Sequence, residues 1–300
     1  MKSSSLTQSY IYVFISAVLF GFLVFGGGMM GKYGFSLIEV LIIPNTVIFF
    51  FLLWFVRKDL KSFFRVPLWI SIFYPINCIL EQIGQLAPLF VGVSVSLVVF
   101  LLYTQPIWTI LISSTFLKQK FTKTEAVVTV SVITGLVILL APWREMTYSV
   151  LGVILALIGG LCMSGWVIIG AYYTRNNIKP VTTTFFTNLY TSLPFILAYP
   201  FLLKLAPAPE ISGFSFDRSI VMMICVIIYS LTVFVAAPMF FYKGSRKVND
   251  IHLGLILLIE PVVGVALDVV FLGTTFTWNI AAGGALILFA NMCLILKTTK

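Results

Sequence analysis

Long apolar blocks recur along the whole chain and are separated by short polar segments. Each block has about 18 to 25 residues, the length that an α-helix needs to cross a hydrocarbon layer of ~30 Å. The pattern predicts ten membrane-spanning helices and leaves little of the chain for a soluble domain. The approximate spans are 10–31, 36–56, 67–86, 93–117, 124–141, 149–173, 181–203, 219–242, 250–272 and 279–297.

The composition agrees with a membrane protein. Of the 300 residues, 60% are hydrophobic and only 10% are charged, whereas about a quarter of residues are charged in soluble domains. The four cysteines lie in apolar blocks, without a CxxC pair or a metal-ligand cluster, so we expect neither a metal site nor another cofactor. The first block is too long for the core of a signal peptide and is expected to be retained.

The basic residues predict the topology. They are scattered between the spans and do not form a basic domain face, so the net charge of +9 does not indicate nucleic-acid binding. With ten spans both termini lie on one side, which carries fifteen of the 19 Lys and Arg residues; the other side carries Lys32, Arg144, Lys204 and Arg218. Because basic residues accumulate in cytoplasmic loops, we expect a multi-pass protein of the cytoplasmic membrane with both termini in the cytoplasm.

The second half of the chain repeats the first. Residues 100–122, FLLYTQPIWTILISSTFLKQKFT, align with residues 255–277, LILLIEPVVGVALDVVFLGTTFT, at a shift of 155 positions. The shift of 155 pairs Gln105 with Glu260, Pro106 with Pro261 and Tyr74 with Tyr229, and a shift of 144 pairs Gly21 with Gly165 and Gly26 with Gly170.

Each repeat holds five spans, an odd number, so the two copies must be inserted in opposite orientations. We therefore predict an all-α integral membrane fold in which ten transmembrane helices form two inverted five-helix repeats, residues 1–142 and 143–300, around a central cavity. Secondary transporters are commonly built in this way, with the substrate site near mid-membrane where the repeats meet.

With these features the chain resembles EamA-type members of the drug/metabolite transporter superfamily over nearly its whole length. The resemblance rests on the five-plus-five plan, Gly21, the Glu260-Pro261 pair with its partner Gln105-Pro106, and the turns KQKFT and GTTFT. It implies a compact bundle with a central cavity that exports or exchanges small metabolites, often amino acids.

The chain departs from the family pattern at four positions. Gln119, Thr274 and Thr275 stand where the turns commonly carry a charged pair, and Asn45 stands where the second helix often carries Arg. Any substrate contact that this Arg makes in the family is therefore not expected here.

Span nine carries its polar residues on one helical face, which includes His252, Glu260 and Asp268. An ionised carboxylate facing lipid costs ~2.5 to 3.5 kcal/mol even on insertion-based scales, so this face should point into the bundle or a water-filled cavity. Pro261 removes a backbone donor and frees a carbonyl around Leu257 for substrate or water. Glu260 is a candidate substrate or proton-coupling residue; alternatively, it bonds a neighbouring helix and stabilises the kink.

The other polar residues of span nine lie nearer the membrane boundaries. Asp268 approaches the outer end, where a structural or vestibule role is expected, and His252 approaches the cytoplasmic end, where a satisfied interfacial histidine is the alternative to a proton relay. Together with Glu260, Pro261 and Pro106, these two residues form the candidate coupling or gating set.

Span three has a continuous polar stripe at spacings of three and four residues. It contains Tyr74, Asn77 and Glu81, which either line the cavity or form a ladder of hydrogen bonds between helices. The candidate substrate-binding residues are these three together with Gln105, Trp166, Tyr229 and Glu260. The pair Thr122 and Glu125 separately predicts a capping box at the start of span five.

The mid-membrane polar residues are acidic or neutral, whereas phosphorylated anions need fixed positive charge or helix N-termini. We therefore expect a secondary transporter, an exporter or exchanger, for a small zwitterionic or amine-bearing metabolite, driven by its own gradient or by proton exchange. The alternatives are an integral membrane enzyme that uses a carboxylate as general acid or base and a passive metabolite channel. The expected partners are the substrate and the lipid bilayer, with a monomeric or homodimeric state.

Overall fold

The computed structural model describes residues 5–141, 143, 149–205, 213–215, 219–273 and 275–299. The structure is 83% helix, and the described residues contain no strand. Within them the chain forms ten long helices and a short one, Leu60–Phe63. The long helices are α1 (Leu6–Phe20 and Phe22–Lys32), α2 (Leu37–Val56), α3 (Leu68–Phe90), α4 (Val95–Leu102 and Gln105–Thr115), α5 (Lys123–Leu140), α6 (Val150–Arg175), α7 (Pro180–Leu205), α8 (Ile220–Gly244), α9 (Asp250–Leu257 and Ile259–Leu272) and α10 (Trp278–Thr299).

Eight of these described helices are long and apolar enough to cross a membrane. The other two, α3 and α7, are also long, but their sequences carry many polar side chains. The positions of the ten long helices follow the predicted spans closely, and the count of ten membrane crossings stays a prediction. Lys2, Arg144, Arg218 and Lys300, which bear on the topology, and Thr274 lie outside the described residues.

Two helices are interrupted just before a proline. The backbone ψ angle is 11° at Tyr103, ahead of Pro106, and 0° at Leu258, ahead of Pro261, whereas a regular α-helix has ψ near −42°. A proline cannot donate a backbone hydrogen bond, and its ring crowds the carbonyl four residues earlier. The predicted kink at Glu260-Pro261 is therefore present, and α4 carries a corresponding break.

Local signals set where helices begin. Thr122 and Glu125 form the predicted capping box at the start of α5, and Ser36 and Glu39 form another at the start of α2. In each box the hydroxyl accepts from the glutamate N–H while the carboxylate accepts from the N-cap N–H, which satisfies donors that the first turn leaves free.

Helices from the two halves are tied by polar and close backbone contacts. Asn77 of α3 donates to the carbonyl of Cys162 in α6 at 2.9 Å, and Ser16 of α1 donates to the carbonyl of Ala237 in α8 at 2.8 Å. Further along α3 and α6, a Cβ added to Gly84 would collide with the backbone of Gly159. Small residues allow membrane helices to approach closely, which is a main source of their association.

Candidate functional site

A cavity of about 390 Å³ lies between the helices, within the ~300 to 1,000 Å³ range that is typical of small-molecule sites. Eight of the ten long helices contribute described lining residues, and α5 and α10 contribute none. Five of the predicted substrate-binding residues line this cavity: Glu81, Gln105, Trp166, Tyr229 and Glu260.

Two carboxylates from different halves face this cavity. Glu81 of α3 is 9% exposed and Glu260 of α9 is 7% exposed, and both line the same cavity. Glu81 Oε1 accepts a long hydrogen bond of 3.5 Å from Gln85 Nε2. Its Oε2 is buried and has no hydrogen-bond partner among the described residues. Tyr103, at the break in α4, lines the same cavity.

The rest of the wall is neutral. None of the described residues that line the cavity is Lys, Arg or His. Apolar and aromatic side chains predominate, and the neutral polar residues of the wall are Asn45, Gln82, Gln85, Gln105, Thr187, Asn188 and Thr191. A ligand bound here would therefore meet carboxyl, amide and hydroxyl groups, and aromatic faces.

Gln105 is held rigidly by its own surroundings. Its side-chain Nε2 donates to Thr109 Oγ1 at 2.6 Å, and its backbone carbonyl accepts from Ser164 Oγ of α6 at 3.0 Å. Trp166 is similarly supported, because it stacks on Phe241 with ring centroids 4.7 Å apart and meets the edge of Phe20. These contacts fix one wall of the cavity.

The other two predicted substrate-binding residues, Tyr74 and Asn77, do not line the cavity. The Tyr74 hydroxyl is 2.6 Å from Thr187 Oγ1 and 3.4 Å from the Tyr242 hydroxyl, and Asn77 bonds the α6 backbone as described above. The first part of the α3 stripe thus forms a hydrogen-bond ladder between helices, and the later part, with Glu81 and Gln85, faces the cavity.

Asp268 and His252, two members of the predicted coupling set, also lie away from the cavity. Asp268 is half-buried at the start of a π-helical turn, Asp268–Leu272. His252 is buried at 5% exposure, where Nδ1 lies 2.5 Å from the Tyr10 hydroxyl and Nε2 lies 2.8 Å from Glu125 Oε1. Both ring nitrogens of His252 therefore have partners, as expected of a satisfied histidine. The residue lies inside the bundle, however, and not at the membrane interface.

Several polar residues of the wall were not predicted from the sequence. Thr187, Asn188 and Thr191 lie on α7 and line the cavity. Thr191 lies about one turn after the adjacent Thr187 and Asn188, so the three residues share one helical face, the same signal that drew attention to α3. Tyr103 was also not predicted, although it lies only two positions before the Gln105-Pro106 pair.

The bundle end that contains the starts of α1, α5 and α9 is closed. We call this region the closed end and define it by Phe63, Arg175, Asp250 and His252. Phe63 stacks between Tyr173 and Phe186, with centroids 4.3 and 4.0 Å apart. None of the four defining residues lines the cavity.

An ion pair strengthens this closure. Asp250 is fully buried and lies 2.9 Å from Arg175 Nη2. Gln119 Nε2 also donates to Asp250 Oδ2 at 2.6 Å. The neutral residue at position 119, one of the departures from the family pattern, thus has a defined hydrogen-bonding role.

The lining of the cavity extends from Glu260 towards the opposite end of the bundle. Leu89, near the end of α3, and Val95, at the start of α4, belong to the lining. The loops at this opposite end are tied together, since Ser36 Oγ donates to the carbonyl of Gly213 at 2.6 Å. The cavity therefore occupies the middle and one half of the bundle.

Comparison with known proteins agrees with this arrangement. A model of the EamA-like transporter family matches residues 150–296, which span α6 to α10. No curated protein matches the chain. A solved structure described only as "Crystal structure of protein" has a TM-score of 0.76 and 14% identity, covering 96% of this chain and 98% of the other; at this identity it shows a shared fold alone. The second half of the chain is thus similar to the EamA-like transporter family, and the match and the apolar helices together support a multi-pass membrane protein.

Proposed function

We propose that this protein is a secondary transporter that moves a small zwitterionic or amine-bearing metabolite across the cytoplasmic membrane by alternating access, as an exporter or exchanger. The observation that carries the proposal is the cavity with two buried carboxylates, Glu81 and Glu260, in a protein whose second half matches a transporter family. A carboxylate in a membrane interior is costly and is retained where it serves substrate or ion binding.

The inverted repeat is part of this proposal and is supported by the helix breaks. Tyr103 and Leu258, the two broken positions, are 155 residues apart, the same shift that relates Gln105-Pro106 to Glu260-Pro261. Interrupted helices at equivalent positions of two repeats commonly mark the substrate site of a transporter.

Helix pairing is a second support for the inverted repeat. Under the sequence shifts, α1 corresponds to α6 and α3 corresponds to α8. The pair α3 and α6, joined by the bond from Asn77, then corresponds to the pair α8 and α1, joined by the bond from Ser16 to Ala237. Equivalent helices thus lie against each other in both pairs, although the individual bonds differ.

Alternating access is supported by two corresponding tyrosines in unlike surroundings. Tyr229 lines the cavity, whereas Tyr74 is fully buried against Thr187 and Tyr242. If the two repeats exchange their conformations, Tyr74 becomes exposed to a cavity from the other side while Tyr229 becomes buried. A passive channel would need no such asymmetry.

The distribution of charge supports a cytoplasmic closed end. Arg175 pairs with Asp250, Lys179 Nζ lies 2.7 Å from Asp59 Oδ2, and the ammonium of Lys297 donates to Thr124 at this end of the bundle. Basic residues favour the cytoplasmic side. We therefore interpret this conformation as outward-facing.

The test is a counterflow assay in proteoliposomes loaded with a panel of amino acids and amines. We expect uptake of a labelled substrate to be accelerated by unlabelled substrate inside, because a carrier returns faster when loaded. If a sugar phosphate competed more strongly than every amino acid and amine, the result would contradict the proposed substrate class. Steady conductance in a planar bilayer without counterflow would favour a channel instead.

A further inference from the structure

We infer that the cavity selects a net cation, an ammonium group on an aromatic or apolar body, and discriminates against the zwitterionic amino acid with the same side chain. This inference rests on the proposed transport function and narrows its substrate class. It is carried by the acidic side chains of the cavity wall and by one carboxylate oxygen in that wall that is buried and has no partner within the part of the chain that the structure describes.

The wall supplies negative charge without compensation. Glu81 and Glu260 are both buried, and the described lining residues include no basic side chain. Glu81 Oε2 in particular is buried without a hydrogen-bond partner among the described residues. An unpaired buried carboxylate oxygen carries a large desolvation cost. A bound ammonium would donate to this oxygen and stabilise its ionised form.

A zwitterion would also bring a carboxylate into the cavity. Its own carboxylate would lose its hydration near two acidic side chains, and only neutral groups such as the Gln82 amide would be left to bind it, because the Asn188 amide already donates to the carbonyls of Thr184 and Phe234. Neutral donors compensate a buried anion less well than a cationic partner does. The carboxylate should therefore reduce affinity rather than add to it.

Helix N-termini at the breaks do not remove this problem. The segment that begins at Gln105 has Pro106 at its second position, which has no N–H, and the N–H of Ile107 already donates to the carbonyl of Thr104 at 2.9 Å. The segment that begins at Ile259 carries the Glu260 carboxylate in its own first turn. Neither end offers a set of free donors for an anion.

The remaining wall favours a ligand with an apolar body. Trp166, Tyr103, Tyr229, Phe20 and Phe234 all line the cavity. Aromatic faces attract an ammonium through their quadrupole and pack against apolar groups. The site thus combines two carboxylates with an aromatic lining, the two features that recognise an organic ammonium ion.

The experiment compares matched pairs on the purified wild-type protein in proteoliposomes. Phenethylamine is compared with phenylalanine, and tryptamine with tryptophan, so that only the carboxylate differs. We expect each amine to inhibit the uptake of a labelled substrate at a concentration about tenfold or more below the concentration that its amino acid requires. Phenethyl alcohol, which lacks the ammonium, should not compete. Equal or stronger competition by the amino acids would overturn the inference.

Two variants test whether Glu81 produces the selectivity. Glu81→Gln should abolish most of the preference for the amine over the amino acid, whereas Asp268→Asn, which removes a carboxylate outside the cavity, should keep the ratio. An unchanged ratio in Glu81→Gln would also overturn the inference. If Glu81→Gln fails to fold, the wild-type pairs still decide the question.

The two proposals fail differently. If amino acids show counterflow and outcompete amines, the transport function stands and the cation selectivity fails. If neither amines nor amino acids bind or show counterflow, the proposed function fails together with the inference that rests on it.

Discussion

Glu125 Oε1 lies 2.8 Å from His252 Nε2, so residues from opposite halves of the chain meet inside the bundle. The same imidazole contacts Tyr10 through Nδ1, and Glu125 also caps the start of α5. All three side chains are buried. Three helices, α1, α5 and α9, are therefore joined at the closed end by one imidazole ring.

Replacing this ring should destabilise the protein. His252→Ala leaves the buried Glu125 carboxylate and the Tyr10 hydroxyl without one partner each, and the loss of such bonds costs about 1 to 3 kcal/mol. We expect a lower melting temperature in detergent. His252→Gln, whose amide can retain one bond, should lose less. Equal melting temperatures for His252→Ala and the wild type would show that the contact contributes nothing to stability.

Glu260→Gln should fold but transport poorly. The substitution preserves shape and deletes the charge, and we expect uptake to fall by at least about tenfold, which corresponds to the loss of a single good ionic contact. If transport is coupled to protons, its pH dependence should disappear as well. Asp268→Asn, outside the cavity, should have the smaller effect. A Glu260→Gln variant with the wild-type rate and pH profile would mean that the carboxylate only stabilises the kink.

The corresponding tyrosines give a test of alternating access. In a cysteine-free background, Tyr229→Cys should react with a membrane-impermeant thiol reagent added outside, whereas Tyr74→Cys should be protected, because only Tyr229 lines the cavity. Conditions that favour the inward-facing state should reverse the two. Equal labelling of both cysteines from outside in every condition would contradict the proposed exchange.

The close contact between α3 and α6 predicts a strong effect of a single methyl group. Gly84→Ala places a Cβ against the backbone of Gly159, and such overpacking costs about 1 to 3 kcal/mol. Gly31→Ala is the matched control, since a Cβ at this helical position meets nothing within 4 Å. Melting temperatures should fall for Gly84→Ala and stay near the wild type for Gly31→Ala. Similar values for both would refute the predicted packing.

The topology can be tested at the end of the chain. A fluorescent reporter that matures only in the cytoplasm should fluoresce when fused after Lys300, because basic residues accumulate on the cytoplasmic side. A reporter that is active only outside the cytoplasm should be silent at the same position. The reverse result would refute the span count and, with it, the inverted repeat.

The sequence by itself determined the features that depend on local chemistry or on the cost of polar groups in lipid. Helix positions follow from apolar length, and the capping box at Thr122 and Glu125 follows from neighbouring donors and acceptors. The break ahead of Pro261 follows from its missing N–H. Glu81 and Glu260 were expected inside the bundle because lipid cannot solvate a carboxylate, and both are buried.

Only the tertiary structure decided which surface each polar face meets. Periodicity identifies a helical face that avoids lipid, but a cavity and a neighbouring helix satisfy that requirement equally well. For this reason Tyr74 and Asn77 could not be distinguished from Glu81 on the same stripe, although the first two bond other helices and the third faces the cavity. The partners of His252 are Tyr10 and Glu125, which lie 242 and 127 positions away in the sequence. Such distant contacts depend on how all the helices pack together.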